Sequence, residues 1–142
     1  SVQLNTKSAC HLDAGMIREG LSFFDLSKLD LLIIENVGNL VCPSDFYLGE
    51  DIKIVILSTT EGDDKPKKYP NTFYKADVVL INKIDLLSFT NFSLEKAKSD
   101  ILSINPSAKI FEISAIKEDS LIEFIRYLEQ RVKWKKNQKL LA

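Results

Sequence analysis

The sequence predicts an α/β fold built on a parallel sheet. Short apolar runs of strand length alternate with stretches of helical periodicity. Each apolar run ends in a polar, turn-forming cluster, and 142 residues that are 45% apolar and 27% charged suit one globular domain. In open parallel sheets ligands bind beyond the carboxyl ends of the strands, so those polar clusters are where function is to be sought.

Taken in order, Leu12, Met16, Ile17, Leu21 and Phe24 recur at helical spacing and predict the first helix. Leu29 to Ile34 predicts a buried strand closing on Glu35-Asn36-Val37-Gly38. Ile52 to Leu57 predicts the next, followed by Thr59, Thr60 and Glu61, and Val78 to Ile81 a third, running into Asn82-Lys83-Ile84-Asp85. Leu94, Ala97, Ile101 and Leu102 form a helical stripe with Ser93 as N-cap and Pro106 beyond its end. Ile110 to Ile113 predicts the fourth strand, ending at Ser114-Ala115. Ser120 and Glu123 read as a capping box opening a last helix, with Leu121, Ile122, Phe124, Ile125, Leu128 and Val132 on one face. These stripes are core rather than cofactor boxes. No repeat, low-complexity segment or linker divides the chain.

Composition narrows the function. A net charge of -1 and a pI near 5.9 leave no broad basic field for nucleic acid. The basic tail of Arg131, Lys133, Lys135, Lys136 and Lys139 reads as a solvated helix end. No apolar run approaches the ~20 residues that span a bilayer. With no signal peptide, a cytoplasmic, reducing compartment is expected. The chain opens on Ser1, its single Met is Met16, and it reads as part of a longer protein.

The most informative cluster is Asn82-Lys83-Ile84-Asp85. A carboxylate at Asp85 accepts two parallel hydrogen bonds from guanine N1–H and N2–H, a pattern adenine does not present. Asn82 can brace the loop, the Lys83 stem can lie on the purine face, and the Ala115 amide can donate to O6. With Ser114 beside Ala115 at the end of the next strand, the set reads as a guanine site, although four residues of this kind also suit a surface turn. Glu35 and Gly38 resemble the DxxG element of GTPases with Glu for Asp. A carboxylate there can hold Mg²⁺ through water, and a glycine amide can meet a γ-phosphate. The plainer alternative is a strand end in solvent. None of the five glycines opens a GxxxxGK[ST] phosphate loop.

Cys10 and His11 precede the first helix, and Cys42 lies in a loop after Glu35. They are the only Cys and His residues. Thiolate and imidazole suit Zn²⁺ and Ni²⁺, but three donors leave a four-coordinate site incomplete. Buried cysteines and a hydrogen-bonded histidine account for the same residues without metal. A Cys10–Cys42 disulfide is not expected in a reducing compartment.

Together, Cys10-His11-Leu12-Asp13-Ala14, Ile34-Glu35-Asn36-Val37-Gly38-Asn39-Leu40-Val41-Cys42-Pro43, Thr60-Glu61-Gly62-Asp63-Asp64-Lys65-Pro66, Lys68-Tyr69-Pro70 and Asn82-Lys83-Ile84-Asp85 resemble the HypB family. The blocks run in the family's order as far as Ser114-Ala115. The resemblance implies a three-layer parallel-sheet P-loop GTPase domain of the SIMIBI class lacking its amino-terminal strand and P-loop. Residues 1–142 would then be the carboxy-terminal portion of a single G domain. It implies Cys10, His11 and Cys42 as metal ligands where two subunits meet, with Glu35 as the Walker B-like carboxylate. Asn82, Lys83 and Asp85 become the guanine readers. GTP/GDP, Mg²⁺ and Ni²⁺ or Zn²⁺ follow as ligands. The implied partners are a second copy, a HypA-like nickel chaperone and a [NiFe]-hydrogenase large-subunit precursor.

Lys7 stands where the family usually has Gly, and Asp63, Asp64 and Lys65 fit the motif without an assigned role beyond a contact to a partner's nucleotide. Three further readings stay open. One is a urease-maturation GTPase, whose Cys-Pro-His motif does not occur here; another is a metal-binding or interaction module without nucleotide turnover; the third is a truncated or partial sequence with no independent function. Without a P-loop the chain alone is expected not to hydrolyse GTP.

Overall fold

A computed structural model describes residues 1–6 and 9–139, so Lys7 lies outside the described residues. The chain forms two compact units, Ser1–Asp51 and Ile52–Ala142.

In the first unit, helix α1 spans Ala14–Leu21. Asp13 caps it by accepting from the Met16 amide at 2.8 Å, satisfying one of the donors that a helix start leaves unpaired. α1 buries Ile17 and Gly20, and a Cβ at Gly20 would stand 3.2 Å from Leu4 Cδ1, so the helix packs closely on the Leu4 side chain. The helix closes where the Ser22 amide and hydroxyl turn back on the Glu19 carbonyl.

The strand expected at Leu29–Ile34 is not formed. The segment joins no ladder among the described residues, and Leu31, Leu32 and Ile33 are exposed, Ile33 by 78%. An apolar run is a strand only when a neighbour completes its hydrogen bonds, and periodicity does not report the neighbour. Glu35 accordingly sits in an irregular loop rather than at a strand end.

The second unit holds the sheet. Strands β1 (Ile54–Ser58), β2 (Val78–Asn82) and β3 (Lys109–Glu112) are parallel in the order β1-β2-β3. Ile54 pairs with Val78 and Ser58 with Asn82, while Val78 pairs with Lys109. β2 is central, and Val78 to Ile81 are all buried, the pattern of a parallel strand covered on both faces. Short helices α2 (Lys65–Lys68) and α3 (Pro70–Tyr74) precede β2, and α4 (Leu94–Ile104) links β2 to β3. Helix α5 (Glu118–Lys139) follows β3.

Alternation separates two cores. Val78 and Leu80 pack with Ile113 beneath Leu121, Phe124 and Tyr127 of α5. Val79 and Ile81 point to the opposite face. Phe73 of α3 and Ala97 and Ile101 of α4 are fully buried, and each large one contributes about 1.5–3 kcal/mol by leaving water. Asn105 ties α3 to the end of α4, its amide donating to the carbonyls of Phe73, Tyr74 and Ala76 at 3.2, 3.0 and 2.8 Å.

Ser93 caps α4 as expected, accepting from the Lys96 amide at 3.2 Å. The capping box at Ser120 and Glu123 is not formed. α5 begins two residues earlier, at Glu118, and the Ser120 hydroxyl turns back on Ser114 and Lys117. No described helix is long and apolar enough to cross a membrane.

Candidate functional site

The ends of β2 and β3 are knitted together by a few polar side chains of the second unit. Asn82 closes β2, and its Oδ1 accepts from the Lys83 amide at 2.7 Å and from the Ala115 amide at 3.2 Å. The chain then reverses at Lys83, whose φ of 63° and ψ of 37° are left-handed. A side chain there costs roughly 1–2 kcal/mol relative to the right-handed well, strain of the kind that clusters at functional turns. The 3₁₀ turn Ile84–Phe89 follows and carries Asp85.

Ser114 is wholly buried and donates its hydroxyl to Asp85 Oδ1 at 2.5 Å. Each carboxylate oxygen has two acceptor positions, so Asp85 keeps capacity for two further N–H groups while one oxygen is fixed. Asn82, Lys83, Asp85, Ser114 and Ala115 are thus brought together. The Ala115 amide is engaged by Asn82, so it has to be shared or released to meet a base oxygen.

Two further side chains support this set. Thr59, 1% exposed, donates its hydroxyl to the Lys83 carbonyl at 2.8 Å and its amide to the Asn82 carbonyl at 3.0 Å. Ser120 accepts from the Ser114 amide at 2.8 Å. The signal for Thr59 was its place at the end of β1, opposite the NKxD turn. Ser120 carried a helix-start signal that concealed its link to Ser114.

A cleft of about 430 Å³ opens beside Thr59 and runs along Glu61 to Asp64 and Thr90 to Phe92. Asp63 on its wall accepts from the Ser93 amide at 3.0 Å and pairs with Lys96. The Lys96 ammonium, and then the Ser93 amide, hold the Asp63 carboxyl below the usual carboxylate range. Asp64 is lowered in the same way by Lys68, 2.6 Å away. Both aspartates of the motif therefore have partners within their own chain.

In the first unit, Cys10 and Cys42 are joined as a disulfide, with Cα atoms 6.1 Å apart. This corrects the expectation of two unpaired thiols. His11 Nδ1 stands 3.8 Å from Cys10 Sγ, and its ring stacks on Phe46 with centroids 3.6 Å apart and planes 8° from parallel. All three soft donors therefore converge, from segments 32 residues apart. As a disulfide the sulfurs are not thiolates, and among the described residues no group of three His, Cys, Asp or Glu side chains stands ready for a metal. Glu35 and Gly38 are exposed on the irregular loop between the two cysteines.

A parallel sheet whose central strand ends in a braced Asn-Lys-x-Asp turn defines the class of α/β nucleotide-binding domains. Residues 1–112 match the nucleotide-binding domain described as CobW/HypB/UreG, and the chain belongs to that family. Within it the likeness is to HypB. The hydrogenase maturation factor HypB of Escherichia coli K12 is 45% identical over 129 residues, covering 91% of this chain and 44% of that one. The crystal structure of HypB from Archaeoglobus fulgidus superposes with a TM-score of 0.84 at 46% identity, covering 89% of this chain and 67% of that one. HypB from Helicobacter pylori in complex with nickel superposes at 0.91 with 43% identity, covering 94% and 64%. The chain spans about half the length of the curated relatives it matches.

Proposed function

We propose that this chain is the nickel-handling and guanine-reading portion of a metallochaperone GTPase serving [NiFe]-hydrogenase maturation. The observation that carries the reading is the convergence of Cys10, His11 and Cys42, the only Cys and His residues in the sequence. Reduced, they offer two thiolates and one imidazole, a donor set that fits Ni²⁺ as cargo and Zn²⁺ equally. Three ligands leave a position for a second copy of the chain, which supports a homodimer sharing metal across its axis. The relatives' role in hydrogenase maturation supports a HypA-like chaperone and a hydrogenase large-subunit precursor as further partners, in the cytoplasm.

Asn82, Lys83, Asp85, Ser114 and Ala115 would read guanine in GTP or GDP. Glu35, exposed on its loop, fits Mg²⁺ held through water, since Mg²⁺ keeps most of its own waters and takes one or two carboxylates. Bound there, the ion would neutralise phosphate charge, and Gly38 would offer its amide to a γ-phosphate. Residues 1–142 then act as the carboxy-terminal portion of one G domain.

Titration of the fully reduced chain with Ni²⁺ and Zn²⁺ tests the proposal. Binding of one ion per chain, weakened at least tenfold by Cys42→Ala and falling with pH as thiolates protonate, is expected. Equal affinity in Cys42→Ala and the parent chain would remove the ligand assignment.

A further inference from the structure

Asn39 stands between the two cysteines and is bonded to both of their backbones. Its Nδ2 donates to the Cys10 carbonyl at 3.0 Å, and its Oδ1 accepts from the amides of Val41 and Cys42, each at 2.9 Å. The Oδ1 bonds are local: they form an Asx turn that opens the 3₁₀ turn Cys42–Asp45. The Nδ2 bond crosses 29 residues. A neighbouring side chain, Asn36, accepts from the Leu12 amide at 3.0 Å and from the Val37 amide at 2.8 Å, so the loop touches the Cys10–Leu12 segment twice. Asn39 thus reaches the backbone of both cysteines, whereas the bonds of Asn36 go to Leu12 and Val37.

We propose that Asn39 is the positioning residue of the Cys10–His11–Cys42 group, holding the two sulfurs in reach of each other and of one bound ion after the disulfide is opened. Opening removes the covalent link, and the Nδ2 bond then remains between the two segments. The part concerning metal rests on the proposed function; the part concerning sulfur proximity does not.

Asp is the discriminating substitution. Asn39→Asp keeps an acceptor for the Val41 and Cys42 amides, so the Asx turn survives. It replaces the Nδ2 donor with an oxygen facing the Cys10 carbonyl, so the long-range link becomes a repulsion. Asn39→Ala removes both halves. Asn39 is exposed in a loop, and neither change touches a packed helix or strand.

The experiment equilibrates the 142-residue chain with a glutathione redox buffer. Two thiols give up two protons and two electrons to form the Cys10–Cys42 bond, and one oxidised glutathione takes them up to become two reduced ones. The ratio of forms gives the effective concentration of one thiol against the other. The reduced chain is then titrated with Co²⁺, whose thiolate charge-transfer band reports sulfur ligation directly. Asn39→Asp should lower the effective concentration about tenfold and the Co²⁺ affinity by roughly 10–100-fold, the usual effect of losing an outer-shell partner. Far-UV circular dichroism should stay unchanged, and Asn36→Ala, which removes a bond to Leu12 but none to either cysteine, should lower the effective concentration less than Asn39→Asp. An unchanged effective concentration in both Asn39 variants overturns the proposal. A lowered one with undiminished Co²⁺ affinity overturns its metal half. If the reduced parent chain binds no metal through Cys42, the ligand reading fails, and the sulfur measurement still decides the role of Asn39.

Discussion

Asn82 Oδ1 accepts from the amides of Lys83 and Ala115, and so joins the turn after β2 to the loop after β3. The type of residue was legible, because a short amide side chain before a left-handed turn suits a loop brace. Its second partner was not, since position 115 lies 33 residues away and nothing local points to it. Ser120 shows the same limit. Its hydroxyl meets the amide of the wholly buried Ser114. Ser120→Ala leaves that amide unpaired, and urea denaturation should show a loss of about 1–3 kcal/mol. Thr59→Ala should loosen the Lys83 turn instead, visible as faster amide exchange at Lys83 and Asp85. A Thr59→Ala chain with unaltered exchange there would show that the turn holds without its support.

Helix α4 is the element the sequence describes best. Its cap at Ser93, Ala97 and Ile101 of its apolar stripe, and Pro106 beyond its end are local signals and lie where the spacing puts them, while Leu102 of the stripe is exposed. Ile101 is fully buried, so Ile101→Ala should cost about 2–5 kcal/mol in chemical denaturation. The amino end of α4 also carries a pH dependence. Asp63 binds a proton less tightly when folded, chiefly because of Lys96 and then the Ser93 amide. Its contribution is therefore complete above the ordinary carboxylate pKa of about 4, and is lost as pH falls through the depressed value. Lys96 is shifted upward by the same contact, so the pair also weakens as pH rises through the raised lysine value. Asp63→Asn should flatten the acid limb of the stability curve, and an unchanged limb would contradict the pairing. By contrast, the segment 29–34 has the composition of a buried strand and none of the pairing, because a ladder needs a second strand that no local pattern encodes.

At the scale of the molecule, the parallel α/β class and, in the second unit, the three strands with α4 and α5 followed from alternating periodicities, whereas the short helices α2 and α3 carried no periodic signal. The pairing of Cys10 with Cys42 did not, since proximity across 32 residues is a property of the folded loops rather than of the cysteines. It follows that metal uptake should require reductant: the chain purified without one should bind neither Ni²⁺ nor Zn²⁺ through sulfur, and prior reduction should restore binding. In the proposed function the loops after β2 and β3 read guanine. The direct test is a titration of the isotope-labelled chain followed by amide resonances, using GDP, ADP and xanthosine diphosphate. Without a phosphate loop the affinity should be weak, since each lost charge-assisted bond removes about 1.5–3 kcal/mol and every ~1.4 kcal/mol is tenfold. The amides of Lys83, Asp85 and Ala115 should nevertheless move with GDP and stay still with ADP. Asp85→Asn should exchange the preference, because an amide donates to the xanthine O2 where a carboxylate accepted from the guanine amino group. Equal shifts with GDP and ADP, or a GDP response that survives Asp85→Asn, would contradict the account.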